Sequence, residues 1–106
     1  LIKGMSACGG KVTARARVIE SISEAYKLKN GDILVTRQTD PGWIVVFPLI
    51  SGLIVERGGM LSHGAIVSRE FGIPSIVGVP SATARIKDGQ LIQLDADTGT
   101  IKFIDD

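Results

Sequence analysis

The segment from Glu56 to Pro74 constrains this chain more than any other. It places a strand end, a glycine turn, a helix start and a helix stop in one short run. It reads Glu56-Arg57-Gly58-Gly59-Met60-Leu61-Ser62-His63-Gly64-Ala65-Ile66-Val67-Ser68-Arg69-Glu70-Phe71-Gly72-Ile73-Pro74 and holds the only histidine of the molecule. Gly58 and Gly59 allow backbone angles closed to other residues and a close approach to the main chain. Ser62 is placed to cap a helix beginning near His63. Ala65, Ile66 and Arg69 follow at helical spacing, and Val67 and Phe71 widen the apolar stripe. Gly72 stands where a left-handed C-cap is wanted, and Pro74 forbids continuation. The spacing predicts a helix of about eight or nine residues.

A histidine at such a helix start has a defined chemistry. The first turn carries free N–H groups and the positive end of the peptide dipoles. An anion there is stabilised without any lysine. A neutral imidazole nitrogen is a nucleophile at neutral pH. His63 is therefore the candidate to attack a phosphoryl donor and hold the product. The amides of Gly58, Gly59 and Gly64 and the Ser62 hydroxyl are candidate phosphate-stabilising groups, and Arg69, on the same helix, is a candidate phosphate partner. A lone histidine in a small domain is also ordinarily a surface or capping residue, and the residues alone leave that reading open.

The run from Gly58 to Pro74 resembles the phosphohistidine motif of the phosphoenolpyruvate-utilising enzymes, which include phosphoenolpyruvate synthase, pyruvate phosphate dikinase, enzyme I of the sugar phosphotransferase system and rifampin phosphotransferase. The resemblance extends to Asp32-Ile33-Leu34-Val35, Thr39-Asp40-Pro41-Gly42-Trp43 and Ile86-Lys87-Asp88-Gly89-Gln90. It implies a mobile, swivelling β/β/α domain: a β sandwich with short helices on one side. It further implies that His63 carries a phosphoryl group between a nucleotide-binding domain and an acceptor domain of the phosphoenolpyruvate/pyruvate or another type. By the same resemblance, Mg2+ and ATP belong to the partner domain, and residues 1–106 are one carrier domain of a longer multidomain enzyme. The absence of an initial methionine fits a piece cut from a longer polypeptide. The dikinases commonly carry threonine two residues before the histidine and alanine just after it. Here Leu61 and Gly64 hold those places and, with Asp40-Pro41-Gly42-Trp43, look more like the rifampin phosphotransferase and synthase-like branch.

The rest of the chain reads as an α/β domain. Lys11 to Ser21 alternates, with Val12, Ala14, Ala16 and Val18 on one face, as in a half-buried strand. Arg15 and Arg17, on its other face, are expected at solvated edge positions. Leu1 to Gly10 reads as a small-residue approach, and Ser21 to Lys29 as a short helical turn or loop. Strands are predicted over Asp32–Thr36, Leu53–Glu56, Ser75–Gly78, Gln90–Asp95 and Thr100–Ile104, the last two joined by a turn at Asp97-Thr98-Gly99. Asp40-Pro41 marks a helix start running to about Phe47. Trp43 on it is expected as a core or interdomain anchor. Pro80 to Ile86 is expected as a helical turn capped by Ser81.

Composition excludes several functions. A net charge of +1 argues against a nucleic-acid surface. Cys8 is the sole cysteine, so no intrachain disulfide forms, and a small buried filler is its expected role. Cytoplasmic placement is expected, with no membrane association. No signal-peptide pattern is visible, and the apolar run from Trp43 to Val55 is too short to span a bilayer and is broken by Pro48, Ser51 and Gly52. No zinc or calcium ligand pattern is present, so no metal and no cofactor are expected on this domain itself. Met60, Leu61, Arg57 and Glu70 are expected as surface or interdomain contacts. Two further readings stand beside the carrier role: a non-catalytic docking module of the same fold, and a small independent hydrolase.

Overall fold

Ile33-Leu34-Val35-Thr36 and Gly52-Leu53-Ile54-Val55 are buried along their whole length. Strands without a polar face belong inside a sheet covered on both sides, and the computed structural model, which describes residues 1–105, places them there. Eight strands form one sheet: β1 (Ile2–Lys3), β2 (Met5–Cys8), β3 (Lys11–Val18), β4 (Ile33–Thr36), β5 (Gly52–Val55), β6 (Ser75–Val77), β7 (Leu91–Asp95) and β8 (Thr100–Phe103). Their order is β1-β8-β7-β3-β4-β5-β6-β2. Strands β3 to β6 run parallel, and the other pairs are antiparallel. The two ends of the order, β1 and β2, are consecutive in sequence, so the sheet almost closes on itself. Gly4 makes that corner. Its N–H donates to the Gly99 carbonyl at 3.0 Å, and a Cβ there would lie 2.6 Å from Val79 Cγ2.

Parallel neighbours require crossovers. Those between β3 and β4, β4 and β5, and β5 and β6 are a 3₁₀ helix at Ile22–Lys27, a 3₁₀ helix at Pro41–Val46, and α1 (His63–Phe71). Alternate side chains along each strand then serve two cores. Ile33, Val35, Ile54, Ile76, Ile92, Leu94 and Ile101 fill the inside of the folded sheet, closed by Ala82 and Ile86 around α2 (Ala82–Arg85). Leu34, Leu53, Val55 and Val77 face outward against Trp43, Val46, Phe47, Ala65 and Val67 of the crossovers. This is the α/β class and the β/β/α layering that the resemblance implied.

Several local expectations need correction. Leu1 to Gly10 forms β1 and β2 rather than an unstructured approach; their pairing with β8 and β6 is long-range. Cys8 is only half-buried. The segment after Asp40 is 3₁₀, not α-helical, although Asp40 caps it as expected, its Oδ1 accepting from Gly42 N at 2.8 Å. Trp43 is a core residue. Arg17 is not at a solvated edge, because β3 is central. Its Nε donates to Asp32 Oδ2 at 3.1 Å and its Nη1 to Asp88 Oδ2 at 3.2 Å. Ile66 and Phe71 are 43% and 44% exposed, so the buried stripe of α1 is Gly64, Ala65, Val67 and Ser68. Ser81 makes no side-chain cap. Glu56, on the loop after β5, accepts from both Thr83 N at 2.7 Å and Thr83 Oγ1 and so caps α2 from a distance.

Candidate active site

Parallel strands deliver their following loops to one edge of a sheet, and ligand sites in such sheets form beyond the carboxyl ends of the strands. Here the loop after β4 supplies Gln38 and Thr39. The loop after β5 supplies Arg57 and Gly58. Ser62 and Gly64 come from the start of α1. With Val55, these residues line a pocket of about 190 Å³. His63, half-buried and the first residue of α1, lies in the chain between the lining residues Ser62 and Gly64 and is bonded to a third, Thr39.

Two contacts orient the imidazole. Its Nδ1 lies 2.9 Å from Thr39 Oγ1. The Phe47 ring meets it edge-on, with centroids 6.3 Å apart and planes at 80°. Among the described residues no hydrogen bond reaches Nε2. Gly64 lets the helix start sit close to this pair, because a Cβ there would lie 3.1 Å from Thr39 Oγ1.

The glycine turn is held from several sides. Gly58 has φ 103°, and a Cβ on it would stand 2.7 Å from Ser62 Cβ. Ser62 does not cap the helix with its side chain as its position suggests; its hydroxyl donates to the Gly59 carbonyl at 2.7 Å and closes the loop instead. The amides at the helix start are therefore not covered by Ser62. Arg69 reaches back from α1: Nε donates to the Ala7 carbonyl at 2.9 Å and Nη2 to the Met60 carbonyl at 2.6 Å. Gly72 has φ 67°, and its N–H donates to Arg69 O, the left-handed stop expected of it. Met60 and Leu61, on the outside of the loop, are 43% and 87% exposed.

The charges around the loop are arranged unequally. Burial alone pushes the Glu56 carboxyl up, but the two hydrogen bonds from Thr83 and the nearby charges of Arg37 and Arg57 together hold it below the usual range. Arg37 pairs with Glu20 at 3.0 Å. Thr39, Gln38 and Glu56 are the site residues that sequence reasoning passed over. Thr39 had two signals, its place just before the Asp40-Pro41 cap and its inclusion in the Thr39-Asp40-Pro41-Gly42-Trp43 stretch that carries the resemblance. Among the described residues no group of three or more His, Cys, Asp or Glu side chains could hold a metal ion, and no helix is long and apolar enough to cross a membrane.

Residues 28–99 match the family "PEP-utilising enzyme, mobile domain". The chain belongs to this family. It is 48% identical over 103 residues to rifampicin phosphotransferase of Bacillus cereus, covering 97% of this chain and 12% of that protein. It is 40% identical over 102 residues to phosphoenolpyruvate synthase of Aeropyrum pernix, covering 95% of this chain and again 12% of the relative. The mobile domain thus spans about an eighth of those relatives' length. Its fold is shared with a solved Enzyme I, at a TM-score of 0.66 and 26% identity over 78% of this chain and 34% of that one. A solved Thermococcus kodakaraensis aconitase X has the same fold, at a TM-score of 0.75, 20% identity and 98% coverage of both chains. At that identity the likeness concerns the fold alone.

Proposed function

We propose that this mobile domain is a phosphoryl carrier in which His63 is transiently phosphorylated on Nε2. The observation that carries the reading is the 2.9 Å contact from His63 Nδ1 to Oγ1 of Thr39, a residue that lines the pocket. When Nδ1 holds the ring proton, Nδ1–H donates a hydrogen bond to the Thr39 oxygen, and the Nε2 lone pair is left free. Nε2 attacks phosphorus in line, the N–P bond forms, and the bond to the donor's leaving oxygen breaks with its electron pair. The Nδ1 proton stays on the ring beside Thr39 until solvent takes it. Transfer to the acceptor reverses these roles.

The chain's own residues position the group. The free amides at the start of α1 and the Gly58-Gly59-Ser62-Gly64 loop face the new negative charge. Arg69 keeps that loop fixed against β2 and supports the phosphate indirectly. Mg2+ and ATP would be bound by a nucleotide-binding domain, and an acceptor domain of the phosphoenolpyruvate/pyruvate or another type would receive the phosphoryl group. The relatives are about eight times as long as this domain, which leaves room for such partner domains. Met60 and Leu61 form an apolar rim suited to such docking. The isolated domain is not expected to turn over.

The test is donor-to-acceptor transfer in the enzyme that contains this domain. His63→Ala is expected to abolish both net transfer and the phosphorylated intermediate. Unchanged phosphoryl incorporation in that variant would overturn the reading and leave a docking module of the same fold.

A further inference from the structure

We propose that Arg57 is the side chain that binds the phosphoryl oxygens at His63, with Gln38 as a neutral second donor from the facing loop. The inference rests on the carrier reading and adds a phosphate-binding group to it.

Arg57 is the one charged residue among those lining the pocket, and no carboxylate lines it. The pocket also meets the start of α1, the positive end of a nine-residue helix. A cation and a positive helix end facing one cavity repel each other unless an anion lies between them. The other cations near the loop are committed elsewhere. Arg37 is paired with Glu20 at 3.0 Å. Arg69 gives its Nε and Nη2 to the Ala7 and Met60 carbonyls. Glu56, next to Arg57 in sequence, directs its carboxylate to Thr83. Among the described residues Arg57 makes no ion pair at contact distance, and its charge reaches Glu56 only through space.

The backbone of Arg57 is fixed although its side chain is exposed. Its N–H donates to the Arg37 carbonyl at 2.9 Å, and the preceding Glu56 N–H donates to the Thr36 carbonyl at 3.1 Å. The guanidinium thus swings from a rigid base on the loop that leads into Gly58. A planar fork with several N–H donors matches two phosphoryl oxygens at once. Gln38, at the same pocket, adds an amide N–H without adding charge. A tetrahedral phosphoryl group on His63 Nε2 would then be held by the α1 amides on one side and Arg57 on the other.

The test uses phosphoramidate, a donor that needs no partner domain, and ATP with Mg2+ in the full-length enzyme. Phosphoryl incorporation and the subsequent loss of phosphohistidine at neutral pH are followed by intact mass. Arg57→Gln is expected to slow incorporation by about tenfold or more and to shorten the phosphohistidine lifetime, with an unchanged melting temperature. Arg57→Lys is expected to recover only part of the rate, because it keeps the charge and loses the fork. Arg69→Gln is expected to lower the melting temperature instead. Incorporation and lifetime in Arg57→Gln equal to wild type would overturn the assignment while leaving the carrier reading intact. A wild-type protein that accepts no phosphoryl group from either donor would overturn the carrier reading, and this assignment with it.

Discussion

Thr39 Oγ1 lies 2.9 Å from His63 Nδ1, across a separation of 24 residues. The contact joins the loop after β4 to the first residue of the helix after β5, so the imidazole orientation depends on two adjacent parallel strands keeping their register. Thr39→Val preserves the shape and removes the oxygen. Losing one such hydrogen bond costs about 0.5–1.5 kcal/mol, roughly two- to twelvefold in rate. Phosphoryl transfer should slow by that factor, Thr39→Ser should restore it, and ring nitrogen NMR shifts should show the Val variant sampling both tautomers.

The two glycines of the turn should differ sharply. Gly58 has φ 103°, and a Cβ on it would collide with Ser62, whereas nothing lies within 4 Å of a Cβ on Gly59. Gly58→Ala should therefore cost about 1–3 kcal/mol of local strain and most of the transfer activity. Gly59→Ala should leave melting temperature and activity near wild type. Equal effects at the two positions would contradict the geometry.

Arg17 connects β3 to buried Asp32 and to Asp88. The Asp32 hydrogen bond, first, and the charges of both carboxylates raise the guanidinium pKa despite partial burial. Arg17→Met leaves Asp32 with only the Lys29 N–H at 2.9 Å. Hydrogen bonds to charged groups are worth about 1.5–3 kcal/mol, so the urea midpoint should fall accordingly. Phosphoryl transfer at low temperature should be unaffected, since Arg17 is not among the pocket residues.

Glu56 predicts a pH dependence. Its folded pKa lies below that of an ordinary glutamate, because the hydrogen bonds from Thr83 and the charges of Arg37 and Arg57 outweigh the effect of burial. A depressed carboxylate stabilises the fold above its unfolded pKa, and that contribution disappears as pH falls through the lower folded value. Melting temperature in wild type should therefore drop on acidification below about 4.5 more steeply than in Glu56→Gln. The Gln variant should also be less stable at neutral pH, because Thr83 loses a charged acceptor. Parallel curves for the two proteins would contradict the capping role.

What was legible in the sequence was local. The stop at Gly72, the cap at Asp40, the turn at Gly99 and the strand ending at Asp95 each depend on neighbours within a few residues, and all appear where expected. What was not legible depends on distant pairings. Nothing near Leu1 signals that β1 and β2 close the sheet, because their partners lie at Thr100–Ile101 and Ser75–Val77. Arg17 reads as an edge residue until β3 is seen at the sheet's centre. Ser62 is the instructive case at the site. Its position predicts a cap, but the sharp turn at Gly58 brings the Gly59 carbonyl to its hydroxyl, and that bond replaces the cap. Thr39 and Arg57 join the site only because β4 and β5 are parallel neighbours, and periodicity within either strand does not reveal that.

The most direct measurement is the intact mass of this protein after exposure to its phosphoryl donor with competent partner domains present. The carrier account predicts a gain of one phosphoryl group, lost in acid, retained in alkali and absent in His63→Ala. No gain, or a gain that survives His63→Ala, would contradict it.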